Sequence, residues 1–282
     1  MASDKVYVFG SGFLGSRIAA AFPGSMNTEV DITDPQAVRA EFDTFQPTVV
    51  VNAAALTLTG QLELPEHQAN AYKVNVQGPA NLAYICRERG IHMVHISTGM
   101  LFDGAGADGK GVREEEVPTP TNFYTWTKAW ADAQLVPLMQ EGVLITRIHT
   151  PFSRFAHPRN FLTKLQGFNE VVDEPASLTV VEDLLEALVK LVGDRRTGIY
   201  NVVSPGSISF YEIAQRLQKA GLIDKDKQIG KLTRQQVEDM MKKTGGAYQT
   251  YPTLNTDKLV AAGISLRPVS EAVDTMIKEY TV

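Results

Sequence analysis

The sequence predicts an α/β fold in which a doubly wound parallel sheet is followed by a smaller C-terminal lobe. Short apolar runs alternate with segments of helical periodicity as far as Thr150, and a glycine-rich turn follows the first run. Beyond Thr150 the predicted elements are mostly helices. Strands that alternate with helices form right-handed βαβ units, and such units build a parallel sheet with helices on both faces.

The predicted strands are short, mostly apolar runs. The first, Val6–Phe9, ends at Gly10, as a strand does before a tight turn. In chain order the predicted strands are 6–9, 28–31, 48–51, 91–96, 143–148 and 199–203. The last of them is expected to rejoin the sheet after an excursion of the chain.

Apolar residues at helical spacing predict the helices. In the first helix Leu14, Ile18 and Phe22 recur every four residues and so share one face. The predicted helices are 14–22, 34–45, 66–89, 122–139, 161–168, 182–192, 210–220, 234–243 and 269–280. We therefore expect a first domain from residues 1–150, rejoined by about 178–205, and a smaller lobe from 151–177 and 206–282.

Composition excludes several classes of protein. The chain has 282 residues and a formal net charge of −5, so it lacks the overall basic field of nucleic-acid-binding proteins. Its one cysteine, Cys86, cannot form an internal disulfide and fits a reducing compartment. We find no signal peptide, no apolar run near the roughly 18 residues of a membrane span, and no metal-site spacing of Cys and His. We expect a cytoplasmic protein with no metal, nucleic-acid or membrane partner.

The glycine-rich turn predicts a dinucleotide site. Gly10, Gly12 and Gly15 have the G-x-G-x-x-G spacing directly after a strand and at the start of a helix. The first glycine allows the tight turn, the second lets the backbone approach a pyrophosphate, and the third packs the helix on the strand. The helix N-terminus supplies N–H groups and a positive dipole to the phosphates. We expect a Rossmann-type domain whose turn, with Phe13 and Leu14, binds NADPH or NADH; a purely structural turn is the alternative.

Two later segments are expected to complete the cofactor site. Asp31 ends the second strand at about the distance of an acid beside the adenosine ribose, and Ile32 follows it. Asp31 is equally well explained as a turn or N-cap residue. Small residues after the third strand would let a dinucleotide lie against the strand ends, or they would merely pack closely. The predicted contacts in that segment are Ala53, Ala54, Ala55 and Thr57. Arg17 would favour the 2′-phosphate of NADPH and Asp31 would oppose it.

Tyr124 and Lys128 carry the strongest chemical signal. Residues four apart on a helix share one face, so the phenol and the ammonium point the same way. A free phenol has a pKa of about 10, and we expect Lys128 to lower the pKa of Tyr124 by stabilising the phenolate. Thr98 ends a strand upstream, where its hydroxyl would bind the same substrate oxygen. We predict that these three residues are catalytic, and that His95 is a packed or hydrogen-bonded core residue.

This set of residues resembles the extended short-chain dehydrogenases/reductases, and within them the dTDP-4-dehydrorhamnose reductases. The chain is more similar still to the plant-type nucleotide-rhamnose synthase/epimerase-reductases. The resemblance runs from the N-terminus to about Ala220. Its matching stretches are Val50–Ala54, Val74–Gly78, Ser97–Gly99, Phe123–Lys128, Pro158–Lys164, Leu178–Val180 and Gly198–Gly206.

The resemblance implies hydride reduction of the C4 ketone of a nucleotide-linked 4-keto-6-deoxy sugar, of the dTDP- or UDP-4-dehydrorhamnose type. Tyr124 would protonate the developing alkoxide, Lys128 would hold the cofactor ribose and Thr98 would orient the carbonyl. The implied substrate-binding residues are Met100, Arg159, Asn160, Phe161 and Lys164. A guanidinium such as that of Arg159 suits a diphosphate, although a solvated surface also explains it. A homodimer is the oligomeric state that we consider as the alternative to a monomer.

Two other functions are compatible with the same residues. A nucleotide-sugar epimerase or dehydratase with permanently bound NAD uses the same tyrosine–lysine pair, and a non-catalytic regulatory subunit can share this fold. One departure from the plant-type pattern bears on epimerisation, because those enzymes carry a cysteine where this chain has Met100. A thioether has no proton to exchange, so we expect reduction with poor epimerisation.

Overall fold

The structure, a computed structural model, describes residues 4–106, 108–247 and 250–281. The chain divides into two compact units, and each is described by itself. The first unit comprises Met1–Leu101, Pro120–Arg147 and Leu185–Tyr200. The second unit comprises Phe102–Thr119, Ile148–Leu184 and Asn201–Val282.

The helices and strands follow one another along the chain in the order that the βαβ pattern predicts for its first half. The strands are β1 (Val6–Phe9), β2 (Met26–Thr28), β3 (Val49–Asn52), β4 (His92–Thr98), β5 (Val143–Ile148), β6 (Pro151–Phe152), β7 (Glu170–Val172), β8 (Pro175–Ala176), β9 (Thr179–Val180), β10 (Gly198–Asn201), β11 (Ile208–Ser209) and β12 (Gly230–Leu232). The helices are α1 (Gly15–Ala21), α2 (Pro35–Phe45), α3 (Thr59–Leu62), α4 (Pro65–Tyr72), α5 (Gly78–Arg89), α6 (Phe123–Leu135), α7 (Phe161–Gln166), α8 (Val181–Gly193), α9 (Phe210–Lys219), α10 (Arg234–Thr244), α11 (Asp257–Ala261) and α12 (Val269–Lys278).

Among the described residues, six strands form the main sheet, in the order β10-β5-β4-β3-β1-β2. β2, β1, β3 and β4 run parallel, with Phe9 opposite Asn52 and Asn52 opposite His95. The predicted parallel sheet is therefore confirmed, and the strand predicted near residue 199 does rejoin it. The chain goes from β1 to β2 on one side and crosses back to β3 on the other. The carboxyl ends of β1 and β3 thus flank the switch point, where open α/β sheets bind ligands.

The long helix predicted over 66–89 is interrupted. A π-helical turn, Lys73–Gln77, separates α4 from α5. Pro79 explains the change, because it has no N–H for the carbonyl four residues back and its ring clashes with that carbonyl in a regular helix. The π-helical turn holds Asn75 fully buried.

Two other predicted boundaries move. α6 ends at Leu135, and the chain continues as a 3₁₀ turn, Val136–Glu141. The change occurs at Pro137 because proline has no N–H to donate to the α-helical hydrogen-bond pattern. The strand predicted over 28–31 lies earlier, at Met26–Thr28. This second shift changes which acidic residue follows the strand.

The second unit has its own hydrophobic core, built around α7, α9 and α12. Its fully or almost fully buried members include Phe152, Phe161, Leu162, Leu165, Leu178, Ile213, Leu217, Val273 and Met276. Residues 102–119, which the sequence placed in the first domain, belong to this unit. The reason is a set of backbone hydrogen bonds, since Val112 N–H donates to Thr253 and Val112 O accepts from Asn255 N–H. Of the helices described, none is long and apolar enough to cross a membrane.

Candidate active site

The glycine turn has the geometry that a dinucleotide-binding turn requires. Gly10 has a φ of +94°, and an added Cβ there would lie 2.8 Å from the backbone N of Ala54. At Gly15 an added Cβ would lie 1.8 Å from the carbonyl oxygen of Gly10, so only glycine lets α1 approach the turn. At Gly12 an added Cβ would meet no described atom within 4 Å. Packing within the described protein therefore explains two of the three glycines, and the open space at Gly12 leaves room for the close approach that a phosphate group requires.

The start of α1 suits an anion. Leu14 occupies the N-cap position without a side-chain hydrogen bond, and the first turn carries no acidic residue. Phe13 is buried beneath Arg17, whose guanidinium lies 4.4 Å from the ring centre and donates to the Phe13 carbonyl at 3.0 Å. These contacts already engage the guanidinium of Arg17, the sequence candidate for a 2′-phosphate contact.

The segment after β3 lies beside this turn. Ala53 N–H donates to the Phe9 carbonyl at 2.9 Å, and Ala54 lies where Gly10 requires close approach. Asn75 holds the end of the segment, because its side chain accepts from Leu56 N–H at 2.8 Å and donates to the Leu56 carbonyl at 2.9 Å. Of the four predicted cofactor contacts in this segment, Ala53, Ala54 and Ala55 are partly buried and Thr57 is exposed.

The residues after β2 include two of the predicted cofactor contacts, Asp31 and Ile32. Asp31 accepts from Thr33 N–H at 2.8 Å, so it forms the turn that the sequence offered as the alternative. The side chain of Ile32 is buried in the core, which leaves only its backbone for a cofactor contact. Glu29, which the sequence analysis missed, directly follows β2, and its carboxylate accepts from the Ser11 hydroxyl at 2.6 Å. The sequence signal for such a residue is an acid about 20 residues after the first glycine of the turn, and Glu29 lies 19 residues after Gly10.

Tyr124 and Lys128 lie on the buried face of α6. The helix starts with a capping box in which the Asn122 side chain accepts from Thr125 N–H at 2.9 Å and Thr125 Oγ1 accepts from Asn122 N–H at 3.1 Å. Glu63 satisfies a further N–H, that of Phe123, at 2.8 Å. These hydrogen bonds satisfy N–H groups at the start of α6, and they hold in place its first turn, which contains Tyr124.

The pKa of Tyr124 moves in the direction opposite to the expectation. Burial raises the pKa of its phenol to about 12, a hydrogen bond with Thr98 opposes the rise, and the charge of Asp132 adds to it. The sequence predicts that Lys128 lowers this pKa, but in the structure desolvation of the buried phenolate is the largest influence and the net shift is upward. The phenol is therefore a firmly protonated group at neutral pH.

Lys128 is buried with its amine against β4. Its Nζ lies 3.0 Å from Nε2 of His95 and donates to the Ile96 carbonyl at 2.9 Å. Burial lowers the pKa of Lys128 to about 8, with Asp132 opposing. Burial and the neighbouring Lys128 hold the pKa of His95 well below its usual range, so the imidazole is neutral.

A buried ion pair lies one turn farther along α6. Arg147 on β5 donates from Nε to Asp132 at 3.3 Å, and each side chain is only 3% exposed. Burial raises the pKa of Asp132, while Arg147 counteracts this shift. The pair supplies a fixed charge distribution beneath Tyr124 and Lys128 rather than a surface contact.

Two segments are predicted to bind the substrate, one at Met100 and one that contains Asn160 and Phe161. The structure agrees with the prediction better for the first than for the second. Met100 packs in a small cluster with Tyr124, and its N–H donates to Thr98 Oγ1 at 3.2 Å, so it lies beside two of the candidate catalytic residues. Asn160 is instead fully engaged, since it caps α7 and donates to the carbonyls of Ser153 and Phe155, both at 2.7 Å.

Phe161 is likewise a core residue, with its ring centre 4.5 Å from that of Phe210. The predicted substrate contacts of Asn160 and Phe161 are corrected to structural roles, because their side chains are used inside the second unit. Arg159 and Lys164 are exposed and stay candidates for the substrate. Within the part of the chain that is described, no group of three or more His, Cys, Asp or Glu side chains is arranged to hold a metal ion.

Comparison with known proteins agrees with this geometry. The family described as RmlD substrate binding domain matches residues 5–282. The dTDP-4-keto-6-deoxy-D-glucose reductase of Streptomyces niveus is 32% identical over 228 residues, which cover 76% of this chain and 77% of that protein. The bifunctional dTDP-4-dehydrorhamnose 3,5-epimerase/dTDP-4-dehydrorhamnose reductase of Arabidopsis thaliana is 34% identical over 191 residues. That match covers 65% of this chain and 63% of the relative, so the chain spans less than two thirds of the relative's length.

A solved structure shows the same fold over the whole chain. The UDP-rhamnose synthase from Acanthamoeba polyphaga mimivirus superposes with a TM-score of 0.90 at 24% identity, covering 99% of this chain and 100% of that one. The resemblance to dTDP-4-dehydrorhamnose reductases that the sequence indicated is confirmed at the level of the family. This chain belongs to the RmlD substrate-binding family.

Proposed function

We propose that this protein uses NADPH or NADH to reduce the C4 ketone of a nucleotide-linked 4-keto-6-deoxy sugar. The observation that carries the proposal is that Thr98, Tyr124 and Lys128 are all buried in the unit that also contains the glycine turn, with Met100 in contact with both Thr98 and Tyr124 and with Lys128 one helical turn after Tyr124. The relatives from Streptomyces niveus and Arabidopsis thaliana, which are named as reductases of such sugars, support the substrate class.

The turn after β1 is the proposed cofactor site. Gly12 would lie against the pyrophosphate, the uncapped start of α1 would face its charge, and Ala53–Ala55 would line the strand ends. When bound, the reduced nicotinamide supplies the hydride that the C4 carbon receives. Thr98 and Tyr124 would bind the C4 oxygen, which fixes the face of the ketone that is reduced.

Tyr124 is suited to donate the proton. Its pKa of about 12 keeps the phenol protonated at neutral pH, and an alkoxide is a stronger base than a phenolate. As the C4–O double bond opens, the O–H bond of Tyr124 breaks and the proton passes to the C4 oxygen. An N–H of Lys128 then returns a proton to the phenolate, which leaves an uncharged amine that solvent reprotonates.

We propose further that epimerisation is poor. Inversion beside a ketone needs one group to remove a proton and another to supply one from the opposite face, and the Met100 thioether has no proton to exchange. The check is incubation of a 4-keto-6-deoxyglucose nucleotide in D₂O without reduced cofactor, followed by NMR. Slow exchange at C3 and C5 is expected, whereas rapid exchange at both carbons with inverted product would contradict this proposal.

The test of the reductase assignment is a substrate panel. UDP- and dTDP-linked 4-keto-6-deoxy sugars are incubated with NADPH and with NADH, the nicotinamide absorbance is followed, and the products are identified. Loss of absorbance with formation of a 4-hydroxy sugar is the expected result. Product formation without net cofactor use would instead indicate an epimerase or dehydratase with bound NAD, and no turnover with any sugar would indicate a regulatory subunit.

The proposed assembly is a homodimer in the cytoplasm. Exposed aromatic side chains on α4 and α6 support a second copy as the partner, because large exposed apolar patches mark interfaces. Tyr72 and Trp130 are 40% exposed and Trp126 is 45% exposed, with the Trp130 ring centre 6.0 Å from Tyr72 and 5.8 Å from Trp126. Sedimentation of Trp126→Glu beside the wild type tests this: a monomeric wild type would contradict the homodimer, and a dimeric variant would contradict this surface as its interface.

A further inference from the structure

A line of buried polar side chains runs beneath the catalytic pair. Asn52 on β3, His95 on β4 and Lys128 on α6 are 1%, 0% and 2% exposed. Asn52 and His95 face each other in the strand register, with Nδ2 3.2 Å from Nδ1. The other imidazole nitrogen, Nε2, lies 3.0 Å from Nζ of Lys128. β3, β4 and α6 thus bring three buried polar side chains into contact. Burial of any of them without a hydrogen-bond partner would cost free energy.

The backbone fixes which way this line is oriented. Ala54 N–H donates to Oδ1 of Asn52 at 3.1 Å, so the amide nitrogen of Asn52 is the atom that faces His95. An amide nitrogen only donates, and Nδ1 of His95 must therefore accept. Because the imidazole is neutral, its one proton lies on Nε2 and points at Lys128.

A proton on Nε2 selects the charge state of its partner. An ammonium has three N–H donors and no lone pair, so it cannot accept this hydrogen bond, whereas an uncharged amine can. The second contact of Lys128, the Ile96 carbonyl at 2.9 Å, accepts an N–H from either form. We propose that His95, oriented by Asn52, is a positioning residue that holds the uncharged amine of Lys128. This rests on the proposed function, in which that amine forms when Lys128 returns a proton to Tyr124.

Some groups around Lys128 favour its ammonium form and others favour its uncharged amine. On α6 itself Tyr124 and Asp132 flank it, and the negative charge of Asp132 favours the ammonium, although Arg147 on β5 shares that charge. The π-helical turn packed against α6 contributes Asn75, which does not titrate and is bonded to Thr127 at 3.1 Å. His95 is thus the group on β4 that favours the amine. Protonation of Lys128 would remove the lone pair that accepts the His95 N–H, so we expect the two charge states to hold Nζ in different places.

The first test measures the tautomer of His95 in the full chain without substrate. Protein labelled with ¹⁵N-histidine is studied by long-range ¹H–¹⁵N NMR, and the signals that disappear in His95→Gln are those of His95. The expected result is a neutral ring with its proton on Nε2 throughout the neutral pH range. A proton on Nδ1, or an imidazolium, overturns the proposal. This result does not depend on whether the protein reduces any sugar.

The second test separates positioning from structural support. His95→Leu should lower kcat by about ten-fold while KM for the nucleotide sugar stays nearly unchanged, because the acid–base group is mispositioned and substrate contacts are intact. His95→Gln should recover most of the loss, since its amide N–H can donate to the same amine. The matched control is His92→Leu, another buried histidine of β4, which should leave kcat unchanged.

The kinetic outcomes are decisive in either direction. Equal kcat values for His95→Leu and His92→Leu, or a His95→Gln variant as slow as His95→Leu, would overturn the positioning role. A wild type without reductase activity would contradict the proposed function instead, and the tautomer measurement would still decide the role of His95.

Discussion

At the scale of single residues, the environment of Tyr124 determines what it can do. A buried phenol with a raised pKa stays protonated at neutral pH, so Tyr124 holds a proton to donate and is seldom a phenolate that could accept one. Tyr124→Phe removes that donor with little change in volume, and kcat is expected to fall by about 10²- to 10⁴-fold. Cofactor affinity, measured by nicotinamide fluorescence, should be unchanged. Reduction of a 4-keto sugar at near wild-type rate by this variant would contradict the catalytic role.

Glu29 is the residue that we expect to influence the choice of cofactor. Its carboxylate is tied to the glycine turn through Ser11, and there it would repel the 2′-phosphate of NADPH. Since one charge pair at close range is worth about 1 kcal/mol in water, Glu29→Gln should raise the ratio of kcat/KM for NADPH over NADH by about five- to ten-fold. Asp31→Asn is the matched comparison and should change this ratio less. A larger effect of Asp31→Asn would return the role to the residue that the sequence favoured.

At the scale of elements, the start of α6 positions the proton donor. Asn122→Ala removes the side chain that caps the helix, and the free energy of unfolding should fall by about 1 kcal/mol, as for other N-caps. Because Tyr124 lies in that first turn, kcat should fall as well. Thr233→Ala, which removes the capping box of α10, should cost similar stability in denaturant titrations but leave kcat unchanged. Equal kcat for the two variants would show that the cap of α6 does not position Tyr124.

The elements also show where sequence patterns succeed and where they fail. Hydrophobic periodicity identified β1, β3, β4, β5 and α6, because buried strands and amphipathic helices leave a strong local signal. It placed the end of the second strand at Asp31 rather than Thr28, and so did not single out Glu29, the acid that directly follows the strand. Short strand ends depend on neighbouring strands, which local sequence does not encode. The π-helical turn around Asn75 could have been inferred from Pro79, a proline inside a helical pattern.

At the scale of the whole molecule, the class of fold was predictable and the assignment of some segments was not. The alternation of strands and helices and the glycine turn were sufficient for the parallel sheet. Residues 102–119 were assigned to the wrong side of the boundary, because they are held by hydrogen bonds to residues 253 and 255, far away in the sequence. Asn160 is a different case, because its partners Ser153 and Phe155 are near in sequence, and only the local loop geometry brings their carbonyls to its side chain.

The second unit carries the proposed diphosphate contact, Arg159. Arg159→Ala should raise KM for the nucleotide sugar more than it lowers kcat, because the diphosphate is remote from C4 and its contacts change little between ground and transition states. Arg216→Ala removes a partly buried arginine of the second unit that is paired with Glu212 and Asp274, and it should leave both constants unchanged. Steady-state kinetics measures both. A collapse of kcat at constant KM in Arg159→Ala would show that Arg159 does not bind the diphosphate.

The central claim is that hydride reaches C4 of the sugar. The most direct measurement uses NADH and NADPH deuterated at the transferable C4 position of the nicotinamide, with a 4-keto-6-deoxy nucleotide sugar and the full chain, followed by NMR of the product. The account predicts one deuterium on C4 of the sugar, in a single configuration, for each oxidised cofactor. A 4-hydroxy product without deuterium at C4, or deuterium at another carbon, would contradict it.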